Sequence, residues 1–541
     1  MEQNTSVEHL SEIVDSLLLS LEESERGKEP FWKENAKKTI ISLEKGQNAG
    51  VIAETATGKT IIALLISAAY ILVENYRVLF LAPRRILVHQ HQALLNSIGS
   101  SLNITTKVII WGVKNREWKD NKDSIIFATP QMFLSDAKKG LVSVEDFNLI
   151  IFDEFHRAVG KYSYVKIAGL GKASNKKIIG LSASPGHTDE KIELLKKESG
   201  IQTLIQAKRE MPKKLEDLIL VEPDKIILDI EEKFLLLLGE IEKEMKLCGA
   251  ETRGEGTTSF SSLNQAYPIP ESFLKKMYSY AESLNLECSE RWDLLSLLAA
   301  YRKLKYAYKV CLTESYETFL QYARKLETED KTKAARRIFF SPIFSEIVEM
   351  SSEFKDKHPK VLAFLENARW LFRYGMRGIV FVGEKTTGIY LKDILNRRIP
   401  LAETIFGGRG KKDVKLQQES IEKLKKKELF FLVATSVIEE GLNVPEIDVV
   451  VHYSSPVTEI SKIQRSGRTA RTKTGNVIYI VLNHRIDKMR YWKTLRREKQ
   501  MKKLLNGMEE RTAPTSYGSL QKPRRRRNKR CLFTIDLFNQ I

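Results

Sequence analysis

The stretch AETATGKT, Ala53 to Thr60, lies between the apolar runs AGVIA and IIALLISAAYILV. Glycine, lysine and threonine between a buried strand and a buried helix are the context of a phosphate-binding loop. Backbone N–H groups at a helix start face an anion, and the helix dipole favours it. Gly58 lets the backbone come close, Lys59 reaches the β- and γ-phosphates, and Thr60 offers its hydroxyl to Mg²⁺. Ala53, Glu54, Thr55, Ala56 and Thr57 complete the loop. Taken alone, the same residues also describe a plain helix N-cap with a lysine beside it. The decision rests on what accompanies the loop.

A second hydrophobic strand, LIIFDEFH (Leu149 to His156), ends in two carboxylates. Phosphoryl transfer needs charge neutralisation and an aligned nucleophile. Asp153 suits the first role, holding Mg²⁺ through water, and Glu154 the second, orienting and deprotonating the attacking water. A solvated acidic strand end is the bland alternative for this segment by itself. Far downstream, QRSGRTAR (Gln464 to Arg471) places Arg468 and Arg471 three apart, on one face if the stretch is helical. Two guanidinium groups facing a triphosphate would stabilise charge developing on its oxygens. An exposed basic helix is the plainer reading of that stretch in isolation.

Around these segments the pattern is regular. From about 48 to 205, the β-rich runs GVIAE, RVLFLAP, SIIFATP, LIIFDE and KIIGLSAS alternate with amphipathic helical stretches. Such near-continuous apolar strands mark a parallel sheet covered on both faces, with ligands at the carboxyl ends of the strands. From about 230 to 365, long helical patterns such as FLLLLGEIEKEM dominate, interrupted by the loop-like GAETRGEGTTSFSS. From about 370 the alternation returns in GIVFVGE, LFFLVATS, VVVHYSSP and NVIYIVL. The expected architecture is α/β: two parallel-sheet lobes separated by a helical block.

Loops at the strand ends suit a nucleic-acid backbone. Pro83 and Arg84 (with Arg85) follow one strand, Thr129 another, and Thr435 a third in the second lobe. Hydroxyls, backbone N–H groups and arginines at such tips contact phosphates without reading bases. Each is equally an ordinary turn when taken singly. The overall charge points the same way. The 541 residues carry 88 Lys and Arg against 69 Asp and Glu, a formal +19, which suits a polyanion or else a lysine-rich solvated surface. The length implies several domains. No apolar run is long and clean enough to span a bilayer, and the acidic N-terminus is unlike a signal peptide. The four cysteines (Cys248, Cys288, Cys311, Cys531) form no CxxC pair, so neither a zinc site nor a disulfide framework is indicated. These features predict an intracellular protein, cytoplasmic or chromosome-associated, with no membrane partner.

In order, AETATGKT, LAPRR, ATPQ, DEFHRAVGKYSY, LSASPG, VATSVIEEGLNVP and QRSGRTAR resemble the motifs of superfamily 2 DEAH-like helicases. DEFHRAVG, GLSASPG and EEGLNVPEIDVVVHY resemble in particular the archaeal Hef family and its eukaryotic Fanconi anaemia M-type relatives. The resemblance covers about residues 30–505. It implies two RecA-like lobes with ATP and Mg²⁺ between them and a thumb-like helical insertion that grips duplex or branched DNA. It places Gln464, Arg468 and Arg471 at the γ-phosphate, Gly441 and Asn443 near the nucleotide, and Ser182 and Ser184 where hydrolysis couples to strand movement.

The chain departs from the pattern in places. Ala56 and Ala470 stand where glycine is frequent, and Phe155 where alanine or cysteine is. EPFWKENAKK (Glu29 to Lys38) replaces the Arg-x-Tyr-Gln-like segment that reads adenine, and the family's ERKxxxD nuclease signature is missing.

The expected organisation is an N-terminal helical extension (1–29), a first RecA-like lobe (30–205), a helical insertion (206–369), a second RecA-like lobe (370–505) and a basic flexible tail (506–541). In that tail, RRRRNKR (Arg524 to Arg530) suits a tethered nucleic-acid contact. Leu532, Ile535 and Phe538 partly resemble a sliding-clamp-binding peptide, against the alternative of a segment docking on its own protein. The expected function is an ATP-dependent helicase or translocase on forked or branched DNA, in replication-fork repair or recombination. The alternative is a nucleotide-gated sensor or scaffold on double-stranded RNA or DNA with little unwinding.

Overall fold

The computed structural model describes the chain except residues 1, 20–28, 56, 99–103, 111–117, 119–123, 210–211, 248–268, 285–288, 399–401, 408–410, 439–445, 471–472 and 513–541. Short runs of Val, Ile, Leu and Phe become strands that are buried along their whole length, as strands covered on both faces must be. The first seven are β1 (Ala49–Ile52), β2 (Val78–Leu81), β3 (Thr106–Ile109), β4 (Ile125–Ala128), β5 (Leu149–Asp153), β6 (Lys177–Ser182) and β7 (Thr203–Gln206). They form one sheet in the order β3-β4-β2-β5-β6-β1-β7, every pairing parallel. All seven carboxyl ends therefore emerge along one edge. That edge collects the loops after β1, β2, β4, β5 and β6, which are the segments singled out in the sequence.

The second sheet comprises β8 (Lys214–Val221), β9 (Gly378–Phe381), β10 (Ala402–Ile405), β11 (Phe431–Ala434), β12 (Val449–His452) and β13 (Gly475–Leu482). Its order is β10-β11-β9-β12-β13-β8, again parallel throughout. Two RecA-like parallel-sheet lobes with helices between them are thus present.

The strand β8 is a difference from the sequence reading. The span 206–369 reads as a helical insertion, yet Lys214–Val221 pairs along its full length with β13 as an edge strand of the second sheet. At the other end of that span, helix Pro359–Arg373 packs Val361, Phe364 and Leu371 into the second lobe's core. Between these elements, six helices from Lys225–Met245 to Pro342–Glu353 bury a core of their own, including Phe234, Leu238, Tyr301 and Phe319. Leu482 at the end of β13 belongs to that same core and joins the insertion to the second lobe.

The N-terminal helices Glu2–Leu19 and Glu29–Glu44 lay Leu10, Val14, Trp32 and Ala36 against helix Lys59–Glu74, so the extension is packed on the first lobe. Helix Arg485–Thr512 leaves the second lobe and buries Met501 and Leu505 in the core beside β5 and β6 of the first. Residues 506–512, at the start of the span read as a tail, continue this helix. The arginine run and the apolar end of the tail lie outside the described residues, as does the loop-like 249–262. Among the described residues no helix is long and apolar enough to cross a membrane.

Candidate nucleotide site between the lobes

The loop after β1 turns through Gly58, which has φ +91° and ψ +30° and serves as N-cap of helix Lys59–Glu74. A Cβ there would lie 2.4 Å from the Trp32 indole nitrogen, so glycine is required both by conformation and by space. That indole donates to the Thr57 carbonyl at 3.0 Å and props the loop from beneath. Lys59 Nζ donates to the Ala53 carbonyl at 2.8 Å and the Glu54 carbonyl at 3.3 Å. Burial pushes this ammonium below its ordinary range, against the pull of Glu154, Asp153 and Glu54. Thr60 is the second residue of the helix. Ala56 lies outside the described residues.

Asp153 ends β5 and is nearly buried. His91 Nε2 sits 2.8 Å from its Oδ2, and the Glu154 N–H donates to its Oδ1 at 3.1 Å. Glu154 takes a left-handed conformation, φ +51°, which turns its side chain out of the strand line. His156 Nδ1 lies 3.2 Å from Glu154 Oε2 and 3.0 Å from Ser182 Oγ. Ser182 donates to the Ser184 carbonyl at 2.8 Å, and Ser184 Oγ accepts from the Gly186 N–H at 3.2 Å. One chain of contacts thus joins the loops after β5 and β6.

Phe155 fits for a specific reason. Gly50 and Gly180 are directly paired neighbours on β1 and β6. A Cβ on either would strike the Phe155 ring, at 2.9 and 2.6 Å. The two glycines open a slot in the sheet face that this large side chain fills.

The second lobe brings helix Glu459–Ser466, capped by Thr458, against this edge. Gln464, Arg465 and Arg468 are buried. The helix stops at Ser466, with Gly467 as its C-cap, so Arg468 lies in the turn beyond rather than on a helical face shared with Arg471. Arg471, Gly441 and Asn443 fall outside the described residues. Thr55 reaches across the junction: a Cβ on Gly467 would lie 2.6 Å from its Cβ. His187, in the loop after β6, places Nδ1 2.6 Å from Glu459 Oε1. Lys214 Nζ approaches Glu54 at 3.3 Å. A cleft of about 710 Å³ opens beside these contacts, lined by Glu54, Thr57, Ala183, Ile463 and Ser466 among others.

The donor set fits a magnesium triphosphate. Thr55 Oγ1 is buried with no hydrogen-bond partner, within a loop of backbone donors, and the Lys59 ammonium is present beside two carboxylates. Asp153 and Thr60 are the residues that would hold the metal. The strand-tip candidates also converge. Pro83 and Arg84 follow β2, and Thr129 caps helix Pro130–Ala137 after β4, on adjacent strands of one sheet edge. Thr435 follows β11 in the second sheet.

Sequence reasoning missed His91, Trp32, His187 and Glu459. Each acts on a partner between 25 and 272 residues away, so no local pattern marks it.

Two parallel α/β lobes, a phosphate loop and carboxylate pair on one and buried cations on the other, define a superfamily 2 helicase core. Residues 14–187 match the family described as type III restriction enzyme, res subunit, and residues 359–473 the helicase conserved C-terminal domain. The crystal structure of the Pyrococcus furiosus Hef helicase domain superposes with a TM-score of 0.60 at 27% identity, covering 86% of this chain and 97% of that one. A Methanocaldococcus jannaschii protein named as an ATP-dependent RNA helicase is 28% identical, over 84% of this chain and 58% of its own. The ATP-dependent DNA helicase fml1 of Schizosaccharomyces pombe is 26% identical, over 82% of this chain and 56% of its own. The chain spans about half the length of the curated relatives it matches. It belongs to the superfamily 2 helicases, among those resembling the Hef helicase domain.

Proposed function

We propose that the protein is an ATP-dependent helicase or translocase acting on forked or branched DNA, in replication-fork repair or recombination. The observation that carries this reading is the meeting of the Thr55 loop with the Gly467 turn, which joins the loop leading to Lys59 to the turn between Gln464 and Arg468. Lys59 and the loop N–H groups would bind the phosphates of ATP. Asp153 and Thr60 would hold Mg²⁺, which when bound neutralises phosphate charge. Glu154 would orient the attacking water, with His156 placed to hold its carboxylate. Gln464 and Arg468, with Arg471, would stabilise charge at the γ-phosphate. Ser182 and Ser184 would pass the change to Arg84, Thr129 and Thr435, which would grip phosphates along one strand. Similarity to fml1, a DNA helicase by name, supports DNA as substrate.

The test is ATP hydrolysis measured with forked DNA, blunt duplex DNA and duplex RNA at one stated salt concentration, together with strand displacement on the fork. Stimulation and displacement on forked DNA are expected. Stimulation by RNA duplex without displacement would replace this reading with that of a nucleotide-gated sensor.

A further inference from the structure

Helix Pro359–Arg373 ends in a surface that the nucleotide site does not use. Trp370 and Tyr374, one turn apart, meet at a 45° tilt with ring centroids 4.6 Å apart while remaining 51% and 63% exposed. Phe372 beside them is 39% exposed and packs on Phe430 at 4.7 Å. That contact, and the Arg377 bond to the Leu424 carbonyl at 3.2 Å, bring the turn after helix Lys411–Lys425 alongside.

Arg369 and Arg373 on this helix, and Lys426 and Lys427 in the turn after helix Lys411–Lys425, are exposed. Their side chains make no ion pair or hydrogen bond among the described residues. Exposed Glu366 and Glu428 are the acids nearest in sequence, so the patch keeps a positive excess. A cation in the last turn complements the helix dipole, which accounts for Arg373. It does not account for two large rings left in water, where burial would gain free energy.

The patch also has a distinct place in the fold. It lies at the amino edge of the second sheet, where Gly378 begins β9 and bonds the Phe430 carbonyl at 2.8 Å. Thr435 lies at the opposite, carboxyl edge, one four-residue strand or about 13 Å away.

We propose that Trp370 and Tyr374, flanked by Arg369, Arg373, Lys426 and Lys427, form a second nucleic-acid site: a stacking platform for unpaired bases of a single strand. Exposed aromatic faces accept any base, and free guanidinium and ammonium groups near them take the phosphates. The site needs no nucleotide and stands independently of the ATP-driven reading above. An unpaired arm held there would be separate from the strand gripped at Arg84, Thr129 and Thr435.

The experiment uses the full chain and fluorescent oligo(dT) and oligo(U), without ATP, across a salt series. Trp370→Ala with Tyr374→Ala is expected to weaken binding of the preferred oligomer roughly tenfold or more. Trp370→Phe with Tyr374→Phe should keep binding within a few-fold, which separates stacking from damage to the fold. Arg369→Gln with Arg373→Gln should flatten the salt dependence by ~0.7 in slope per lost phosphate contact. Photocrosslinking with 5-iodouracil should map to the peptide carrying Trp370 and Tyr374. Unchanged affinity in the double alanine variant, or crosslinks confined to the peptides of Arg84, Thr129 and Thr435, would overturn the proposal. So would concentration-dependent self-association abolished by the same variant, since the patch would then bury itself in a second copy.

Discussion

The first lobe ends its strands in small residues, one lysine and two carboxylates. The second presents a buried amide and two buried cations, Gln464, Arg465 and Arg468, at 3, 6 and 7% exposure. Both stand on parallel sheets with central strands buried end to end, β2 and β5 in the first and β9 and β12 in the second. The comparison teaches where chemical identity resides. The sheets supply a common edge, and the loop after each strand decides which charge is delivered there. Neither lobe holds both the phosphate-binding loop and the arginines.

The sharpest way to break this contrast is one substitution on each side. Glu154→Gln is expected to lower ATP turnover by about a thousand-fold or more while nucleotide binding persists, measured by phosphate release and fluorescent-nucleotide titration. Arg468→Gln in the other lobe should lower turnover by roughly a hundred- to a thousand-fold. A loss below tenfold there would mean that the second lobe is not part of the reacting site.

Stability comes next. Lys462, 4% exposed at its side chain, bridges Glu216 of β8 at 3.0 Å and Glu498 of the last helix at 2.6 Å. Lys462→Met leaves Glu498 with Lys502 alone and should cost about 1–3 kcal/mol in chemical unfolding, below the usual loss for a buried pair because Lys502 stays at 2.8 Å and Glu216 is partly in water. Burial alone would raise the Glu498 carboxyl, but Lys462 and Lys502 outweigh it and hold it below its ordinary value. A depressed carboxylate contributes stability that is present above the unfolded value, about pH 4.3, and lost as pH falls through the lower folded value. The Lys462→Met variant should lose part of that acid-limb dependence.

Gly180→Ala puts a Cβ 2.4 Å from Ile201 Cδ1 and 2.6 Å from Phe155 Cγ. It should destabilise the first lobe by about 1–3 kcal/mol on thermal melting and leave the second lobe's transition in place. The smallest effect is expected at the rim. Lys214→Ala removes an exposed contact with Glu54 and should change stability by less than about 1 kcal/mol.

Some of this arrangement was legible in the sequence. Strands buried on both faces leave uninterrupted apolar runs, so GVIA, RVLFLA and LIIFD announced the sheet, and the residues that follow each run announced its edge. β8 escaped because an edge strand is half exposed: KLEDLILV mixes charge with leucine and shows no buried run. The end of helix Glu459–Ser466 escaped because Gly467 is a weak stop signal without the packing of Thr55 against it. The substituted segment EPFWKENAKK could be flagged only as a departure. Its Trp32 acts by reaching the underside of a loop 25 residues later, which composition does not encode. The pairing of Phe155 with Gly50 and Gly180 is likewise a fact of register, visible only once β1 lies beside β6.

Helix Arg485–Thr512 has a mechanical consequence. At 28 residues it is about 42 Å long. It is rooted in the second lobe through Asp487, whose carboxylate takes the buried Lys360 ammonium at 2.6 Å, while Met501 and Leu505 are anchored in the first. Drawing the lobes apart must therefore bend this rod or pull its far end from its socket, at roughly 1.5–3 kcal/mol for each of the two side chains. The helix whose Glu498, Met501 and Lys502 line the cleft thus also resists its opening.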